Sequence, residues 1–377
     1  MGRGILSLLR RTQDVEVIAV ADVDLNALKT VQPYLPSNAI ITTESRRVLT
    51  ANPDILIEAT ATVLEAALLV SRALERKIHV VLMNSEVDQT FGRLLSKKAQ
   101  DNRVILTSDA GDQHGVLVRT ADHVRSMGFE IVVAGNNKGF LDRYANPESI
   151  REEAARRRLS LSQCTAYTDG TKLAIEMALV ANALRLDLLQ TGMVGPKVHS
   201  VEGALQALDL AHARELGGVV DYVLGAEPGG SVFVIGYSDD PEDQFYMDYY
   251  KMGKGPYYLF LRPYHLCHFE TPSTIRTLVK YREPVLVQER RVLEVGCRAK
   301  VAIPAGTKLE GIGGHHVYGI LEEPGKLPIG MIEDTLLLKS KKRDEAISWD
   351  DVEFADDDPR LSLWEEQSKL EKERRIE

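Results

Sequence analysis

One apolar segment of this sequence opens on a cluster of reactive side chains. YTDGTKLAIEMALVANALRLD (167–187) sets Thr168, Asp169 and Lys172 close together, with Glu176 one helical turn beyond the lysine. Helix N-termini offer free N–H groups to anions. Lys172 at such a place would bind a phosphate or carboxylate, or stabilise a developing oxyanion. A plainer reading fits the same letters. Thr168 or Asp169 caps the helix, and Lys172–Glu176 is a surface ion pair worth about 0.3–0.5 kcal/mol. The strongly apolar run that follows argues for a buried helix, and so for the chemical reading.

FLRPYHLCHFETP (260–272) brings Arg262, His265 and His268 to the end of a β-rich run. An arginine can clamp an anion with two parallel hydrogen bonds, and a histidine can act as acid or base near neutral pH. A satisfied structural role is the alternative for either histidine. The HxxH spacing, with Cys267 inside it, lacks a third recognisable ligand, so no metal is expected. His315 and His316, in GGHHVYG (313–319), read as exposed loop residues.

A third set of residues points to a nucleotide. VEVIAVAD (15–22) is a short apolar run ending in Asp22, as a buried parallel strand would. A carboxylate there accepts hydrogen bonds from an adenosine ribose and repels a 2′-phosphate, which favours NAD over NADP. The competing role is a helix cap, since Asp22 and Asp24 precede an apolar helix. Upstream, MGRGILSLL offers a helix whose Gly2 is placed as the last glycine of a phosphate-binding turn. The strand and glycines that open such a motif are absent, so the expectation is a chain that starts inside the motif.

The elements that position these groups alternate. DILIEAT (54–60), HVVLMN (79–84), VILTSDAG (104–111) and FEIVVAGN (129–136) read as strands, and helices separate them over 64–76, 90–102 and beyond. Strands spaced in this way form a parallel sheet with right-handed crossovers. Ligands bind beyond the carboxyl ends of such strands, here Asp22, Ala59-Thr60, Met83-Asn84 and 109–111. After a polar connection (137–160) and the apolar helix, strands return over 219–264, with the acidic DDPEDQ (239–244) read as a solvated loop. Short strands and Gly/Pro turns fill 284–338, densest in VAIPAGTKLEGIGG (301–314). A charged tail follows, with a terminal helix packed through Leu361, Leu363 and Trp364.

Composition excludes several classes. The 377 residues carry a net charge of −9, which is wrong for a general nucleic-acid binder. Three cysteines without CxxC spacing suggest neither a disulfide framework nor a zinc site. No run reaches the length of a membrane span. A cytoplasmic enzyme is expected.

Together, MGRGI, VIAVADVD, IEATA, VVLMNSEVD, SDAGDQHGV, VVAGNNKG, TDGTKLAIEMA, LRPYHLCHFETP and VAIPAGTKLEGIGG resemble a known family. It is that of homoserine-dehydrogenase-like NAD(P)-dependent oxidoreductases with a C-terminal SAF domain, some of which are similar in activity to 1-deoxyxylulose-5-phosphate reductoisomerase. The family has a first strand followed by G-x-G-x-M-G-x-G, and Met1-Gly2-Arg3-Gly4 aligns with the end of that run. The D-x-x-G-x-D-x-x-x-K-type segment of homoserine dehydrogenases is missing, so homoserine is not the expected substrate.

The resemblance and the residues lead to one expectation. It is a Rossmann-type doubly wound α/β domain lacking its first strand (1–135), an α+β substrate and dimerisation domain (136–283), a small β-rich SAF-like domain (284–340) and a charged tail (341–377). NAD or NADP would be held by Gly2, Asp22, Ala59, Thr60 and Asn84. Lys172, with Glu176 and Asp169 orienting it, would act on a small anionic polyol or keto sugar whose anionic end meets Thr168, Arg262 and His265. A homodimer is expected, with no nucleic-acid or membrane partner. Two alternatives stand beside a reductoisomerase-like enzyme of isoprenoid biosynthesis. One is a sugar-acid or polyol dehydrogenase without isomerisation, and the other a cofactor-dead SAF-containing binding module.

Overall fold

A computed structural model describes residues 1–288 and 290–373. In chain order its helices and strands are α1 (Gly2–Leu9), β1 (Ala19–Ala21), α2 (Leu25–Val31), β2 (Ile40–Thr42), β3 (Ile55–Glu58), α3 (Leu64–Glu75), β4 (His79–Leu82), α4 (Ser85–Asn102), β5 (Leu106–Ser108) and α5 (Gln113–Ser126). Then come β6 (Glu130–Lys138), α6 (Arg151–Arg157), α7 (Leu161–Thr168), α8 (Thr171–Leu184), α9 (Ala204–Ala207), α10 (Leu210–Glu215), β7 (Val219–Leu224), β8 (Val232–Tyr237), α11 (Pro241–Tyr249) and β9 (Tyr257–Arg262). The chain closes with α12 (Thr271–Tyr281), β10 (Glu294–Ala299), β11 (Val317–Glu322), β12 (Leu336–Leu337), β13 (Ala346–Ile347), β14 (Val352–Glu353) and α13 (Pro359–Glu373). Contacts divide it into two compact units. The first holds Met1–Gly115, Leu266–Gln288 and the chain from Leu363; the second holds Val116–His265 and a later segment ending at Ser362.

The first unit is built on parallel strands, as its alternation of apolar runs and helices requires. β3, β4 and β5 form one ladder, pairing Ile55 with His79 and Val80 with Leu106. β1 and β2 form a second parallel ladder, with Ala19 opposite Ile40. Among the described residues β1 pairs only with β2, and β3 only with β4. Each therefore keeps an edge with no ladder partner, and Ala19–Ala21, Ile55 and Ile57 stay half-buried. Both ladders are parallel, as in a Rossmann-like unit. Ile5 and Leu9 of α1 pack with Met83, Ile275 of α12, Val15, Val17, Ile55 and Ile57 into one apolar cluster. α4 starts five residues earlier than its periodicity suggested, because Asn84 caps it. The terminal helix is held to α4 by a polar contact absent from the sequence reading: the Gln367 carboxamide accepts from Leu94 N at 3.1 Å and donates to Thr90 O at 2.9 Å.

In the second unit the strand read over 129–136 does not extend a parallel sheet. It becomes β6 of a mixed sheet ordered β7-β6-β8-β9, parallel to β7 and antiparallel to β8. β7 leads to β8 through 225–231, too short for a parallel crossover, and the two strands flank β6; β8 returns antiparallel to β9 through 238–256, which carries α11. Val133, Val219, Val223, Phe233 and Ile235 supply its core. The acidic stretch read as a loop is helical. Asp240 caps α11, accepting from Glu242 N at 2.8 Å, Pro241 takes the first turn, and Glu242 and Asp243 meet its positive end. A β-rich module follows, in which β10 pairs antiparallel with β11 and β13. Among the described residues, no helix is long and apolar enough to cross a membrane.

The glycine turn of 310–316 is tied down rather than loose. His315 is half-buried and its two ring nitrogens meet two carboxylates, Glu310 at 2.9 Å and Glu148. Such a bridge needs both nitrogens protonated. Burial works against the imidazolium, but the hydrogen bonds to Glu310 and Glu148 outweigh it and hold the proton to higher pH than usual. A folded-state pKa raised in this way contributes stability that is complete below the ordinary histidine value of about 6.5 and is lost as pH rises through the folded value. The melting temperature should therefore fall between pH 6 and pH 9, and His315→Gln should flatten that part of the profile. An unchanged profile in the variant, followed by circular dichroism, would remove the bridge from the account.

Candidate functional site

In the first unit the carboxyl ends of the strands carry a set of acids in distinct states. β1 runs into Asp22, whose N–H still donates to Thr42 O at 3.2 Å. The two roles weighed for this carboxylate fall on different residues. Asp24 caps α2, accepting from Asn26 N at 2.8 Å, while exposed Asp22 accepts only from Asp24 N, at 2.9 Å, among the described residues. Asp22 thus keeps an oxygen available to solvent or a ligand. Gly2 has open space around its Cα. Gly4 is there for packing, since a Cβ would lie 2.8 Å from the His268 ring.

β3 ends at Glu58, a residue absent from the sequence-based candidates. Its carboxylate accepts from Thr60 N at 2.8 Å, and burial holds its proton affinity above the ordinary glutamate range. Thr60 is exposed, and its hydroxyl lies 3.2 Å from that of Thr62; Ala59 is half-buried. Asn84 is almost fully enclosed, and its side chain also hydrogen-bonds the Glu58 carboxylate. Its oxygen accepts from Val87 N at 3.1 Å and its amide donates to Thr62 O at 2.8 Å, which fastens the 60–62 turn to the start of α4.

Two further buried acids flank this edge. Asp88 accepts from Ser108 Oγ at 2.9 Å, and burial pushes it up to about 6. Asp109 accepts from Gly111 N at 2.8 Å and is likewise pushed up to about 6 by burial. Gly111 is obligatory here: a Cβ would stand 2.2 Å from the Cys267 carbonyl oxygen. An open concavity of about 310 Å³ beside α2 and the end of β2 is lined by Lys29, Thr43 and Arg47 among others, and by none of the candidate residues.

The second unit gathers the basic groups. The YTDG cluster is a junction between two helices rather than the start of one. Thr168 closes α7, its hydroxyl donating to Cys164 O at 2.9 Å. Gly170, at φ +87°, then turns the chain into α8, a conformation open to glycine at little cost. Asp169 is fully buried and holds the junction. It accepts from Thr171 N at 2.8 Å and from Lys300 Nζ at 2.9 Å. Lys300 gives its other two protons to Ala145 O (2.7 Å) and Gly314 O (2.9 Å), so all three are used.

Lys172 and Glu176 follow on α8 and are both buried, at 8% and 2% exposure, which excludes the surface ion pair. Glu176 has a cation from the neighbouring strand, Lys138 Nζ at 3.9 Å. Asn136, two residues before Lys138 on β6, is wholly buried, and among the described residues neither of its amide atoms is hydrogen-bonded. Arg262 ends β9 with its guanidinium 5.0 Å from the Tyr264 ring centre. His265 donates from Nδ1 to Gly230 O at 2.7 Å, the satisfied structural role weighed for it. Among the described residues, no three His, Cys, Asp or Glu side chains are placed to hold a metal ion.

The fold thus collects Lys138, Lys172 and Glu176 on one helix and strand of the second unit and commits Asp169 to a structural pair. Lys138 and Lys300 escaped sequence reading because their partners lie far along the chain. Glu58 gave one signal, an acid inside an otherwise apolar strand.

Two family models match the chain. Residues 1–107 match the NAD-binding domain of homoserine dehydrogenase, and residues 111–271 match the catalytic domain of oxidoreductase DRL. No curated protein matches it. Among solved structures it is similar to one described as a probable dehydrogenase from Thermotoga maritima, at 13% identity and TM-score 0.47, over 76% of this chain and 88% of that one. A hyperthermophilic archaeal homoserine dehydrogenase in complex with NADPH is 13% identical with TM-score 0.45, over 76% and 96%. The dipicolinate-bound dihydrodipicolinate reductase from Paenisporosarcina sp. TG-14 is 14% identical with TM-score 0.38, over 76% and 91%. With its Rossmann-like parallel sheet and the two family matches, the chain is an NAD(P)-dependent oxidoreductase of the dehydrogenase type.

The Asp169–Lys300 pair yields a stability prediction. Removing one partner of a buried pair leaves the other charge uncompensated, at a cost of about 3–5 kcal/mol. Lys300→Met should lower the unfolding free energy obtained from urea titration by an amount in that range, and Asp169→Asn combined with Lys300→Met should recover most of it. A double variant no better than the single one would show that the pair is not the source of the loss.

Proposed function

We propose that this oxidoreductase reduces a carbonyl, or oxidises the matching secondary alcohol, of a small anionic polyol or keto sugar, with Lys172 as the group that meets the reacting oxygen. The observation that carries this is the burial of Lys172 and Glu176 one turn apart on α8, with Lys138 set against Glu176. Burying ionised groups is costly unless they are paired or used, and perturbed, buried charges cluster at functional sites.

The residues of the first unit fit a nicotinamide dinucleotide. Asp22 offers an exposed carboxylate for the adenosine ribose diol, and the 60–62 turn offers exposed hydroxyls. Gly2 at the start of α1 leaves room for a pyrophosphate. Bound there, the cofactor supplies or takes a hydride at C4 of its nicotinamide ring. Asn84 acts from behind, by holding the 60–62 turn.

Lys172 Nζ stabilises the negative charge that grows on the substrate oxygen as hydride reaches its carbon, and gives that oxygen its proton. Glu176, one turn along α8, orients the lysine. Lys138 balances Glu176, so that the carboxylate does not take the proton itself. Thr168, Arg262 and His265 serve the anionic end of the substrate. Asp169 supports Lys172 only through the helix junction. The SAF-like turn segment of 301–314, a homodimer formed through the second unit and a cytoplasmic location belong to the same reading. A carbon-skeleton rearrangement before reduction would ask more of Lys172, which would then stabilise an enediolate-like or alkoxide oxygen.

Steady-state kinetics over a panel of keto-sugar phosphates and sugar acids test the role of Lys172. Lys172→Ala should cut kcat about 10²- to 10⁴-fold and leave the dissociation constant for NADH or NADPH unchanged. Full turnover in that variant would overturn the assignment. A rearranged carbon chain in the product would select the reductoisomerase-like reaction, and an unrearranged one the plain dehydrogenase.

A further inference from the structure

The helix α11 carries its apolar residues on the side away from its own protein. At about 100° per residue, Phe245, Tyr246 and Tyr249, with Tyr250 at the C-cap, share one arc of about 140°. All four are exposed, at 52% to 68%. The half-buried residues of the helix are Asp243, Gln244 and Met247, which lie outside that arc. Asp243 accepts from Ser238 Oγ at 2.6 Å, which ties its side of the helix to the end of β8. A helix this short owes its stability to the burial of an apolar face, and here that face is turned to solvent.

The mixed sheet beside it has no open face. β6 is buried from Ile131 to Asn137 and β8 from Val232 to Gly236, so both faces are covered within the chain. The aromatic arc of α11 is open and already ordered. Phe245 packs edge-on against Tyr246, and Tyr249 against Tyr250, each with ring centres 5.2 Å apart. Such rings offer large contact area at little conformational cost. At these exposures the four would bury about 500 Å² per copy, or about 1,000 Å² in a symmetric pair. That is the size at which an interface becomes specific.

Charge identifies what covers the arc. Asp239, Asp240 and Glu242 stand at the start of the helix, Lys251 and Lys254 beyond its end, and all five are exposed. Laid antiparallel on a copy of itself, about a two-fold axis near Tyr246 and Tyr249, the helix sets its acidic end against the lysines of the other copy, twice. A parallel pairing would set acids against acids. The patch is thus self-complementary, as a two-fold interface requires, and antiparallel helix dipoles favour the same order. We propose that this protein pairs with a second copy of itself through α11, antiparallel, with the four rings at the seam and Glu242 of each copy facing the lysine-bearing end of the other. This inference gives a surface to the homodimer read for the second unit, and rests on that reading.

Sedimentation velocity of the full chain over a wide range of concentration tests it. The unaltered chain should sediment as a dimer. Phe245→Ser combined with Tyr249→Ser should raise the dimer dissociation constant about 100-fold or more. Lys251→Glu with Lys254→Glu should weaken the dimer about 10-fold or more, and so should Glu242→Lys alone. The three charge changes together should restore most of the unaltered affinity, which a charge that merely aids folding would not do. Circular dichroism checks that each variant is folded, and the charge variants serve alone if the ring variant is not. Loss without rescue in the combined charge variant overturns the antiparallel seam. A dimer indifferent to both the ring and the charge changes overturns the inference and leaves the homodimer to another surface. A monomer at every concentration overturns the homodimer reading as well, and leaves the arc to a partner of another kind.

Discussion

The second unit is organised around a single ammonium group. Lys300 Nζ is enclosed and directs its three protons to Asp169, Ala145 O and Gly314 O, three points far apart in sequence. Desolvating the pair is expensive, and it is tolerated because every proton finds an acceptor. One consequence is local. Asp169 also receives Thr171 N, so the carboxylate fixes where α8 begins. The rotation of α8, and hence the face on which Lys172 and Glu176 emerge, follows from that start. A lysine about 130 residues downstream thus sets the geometry of the groups assigned to the chemistry.

The two units divide the electrostatic work. At the strand ends of the first, burial raises the proton affinity of Glu58, Asp88 and Asp109, so these acids hold their protons to higher pH than free carboxyls do. Asp22 alone among the candidate acids there is exposed, as a hydroxyl-binding carboxylate needs to be. The second unit sets buried Lys172 and part-buried Lys138 on one helix and one strand, and Lys172 is the group proposed to meet the oxygen of the substrate.

Local signals were legible in the sequence. The parallel strands of the first unit showed as short apolar runs ending in polar residues, and Asp22 stood at the expected end. Where two acids competed for one cap, the choice between Asp22 and Asp24 required the actual φ/ψ of the turn. The helix α11 was legible in principle, since Asp240, Pro241, Glu242 and Asp243 spell a cap, a first turn and its acids; the density of charge concealed it. What local patterns could not convey was pairing at long range. Nothing near Asp169 announces Lys300, and nothing near Glu176 announces Lys138. The strand of 130–138 was identifiable as a strand, but whether its neighbours run parallel or antiparallel depends on residues eighty to a hundred positions away.

The central claim is that the cofactor sits beyond the carboxyl ends of the parallel strands in the first unit. Hydrogen–deuterium exchange on the full chain, with and without saturating NADH, tests it most directly. The account predicts slowed exchange in the segments that follow those strands, at 22–26, 59–63, 84–88 and 109–113, with β7, β8 and β9 unaltered. Protection confined to the mixed sheet, or none at saturation, would contradict it.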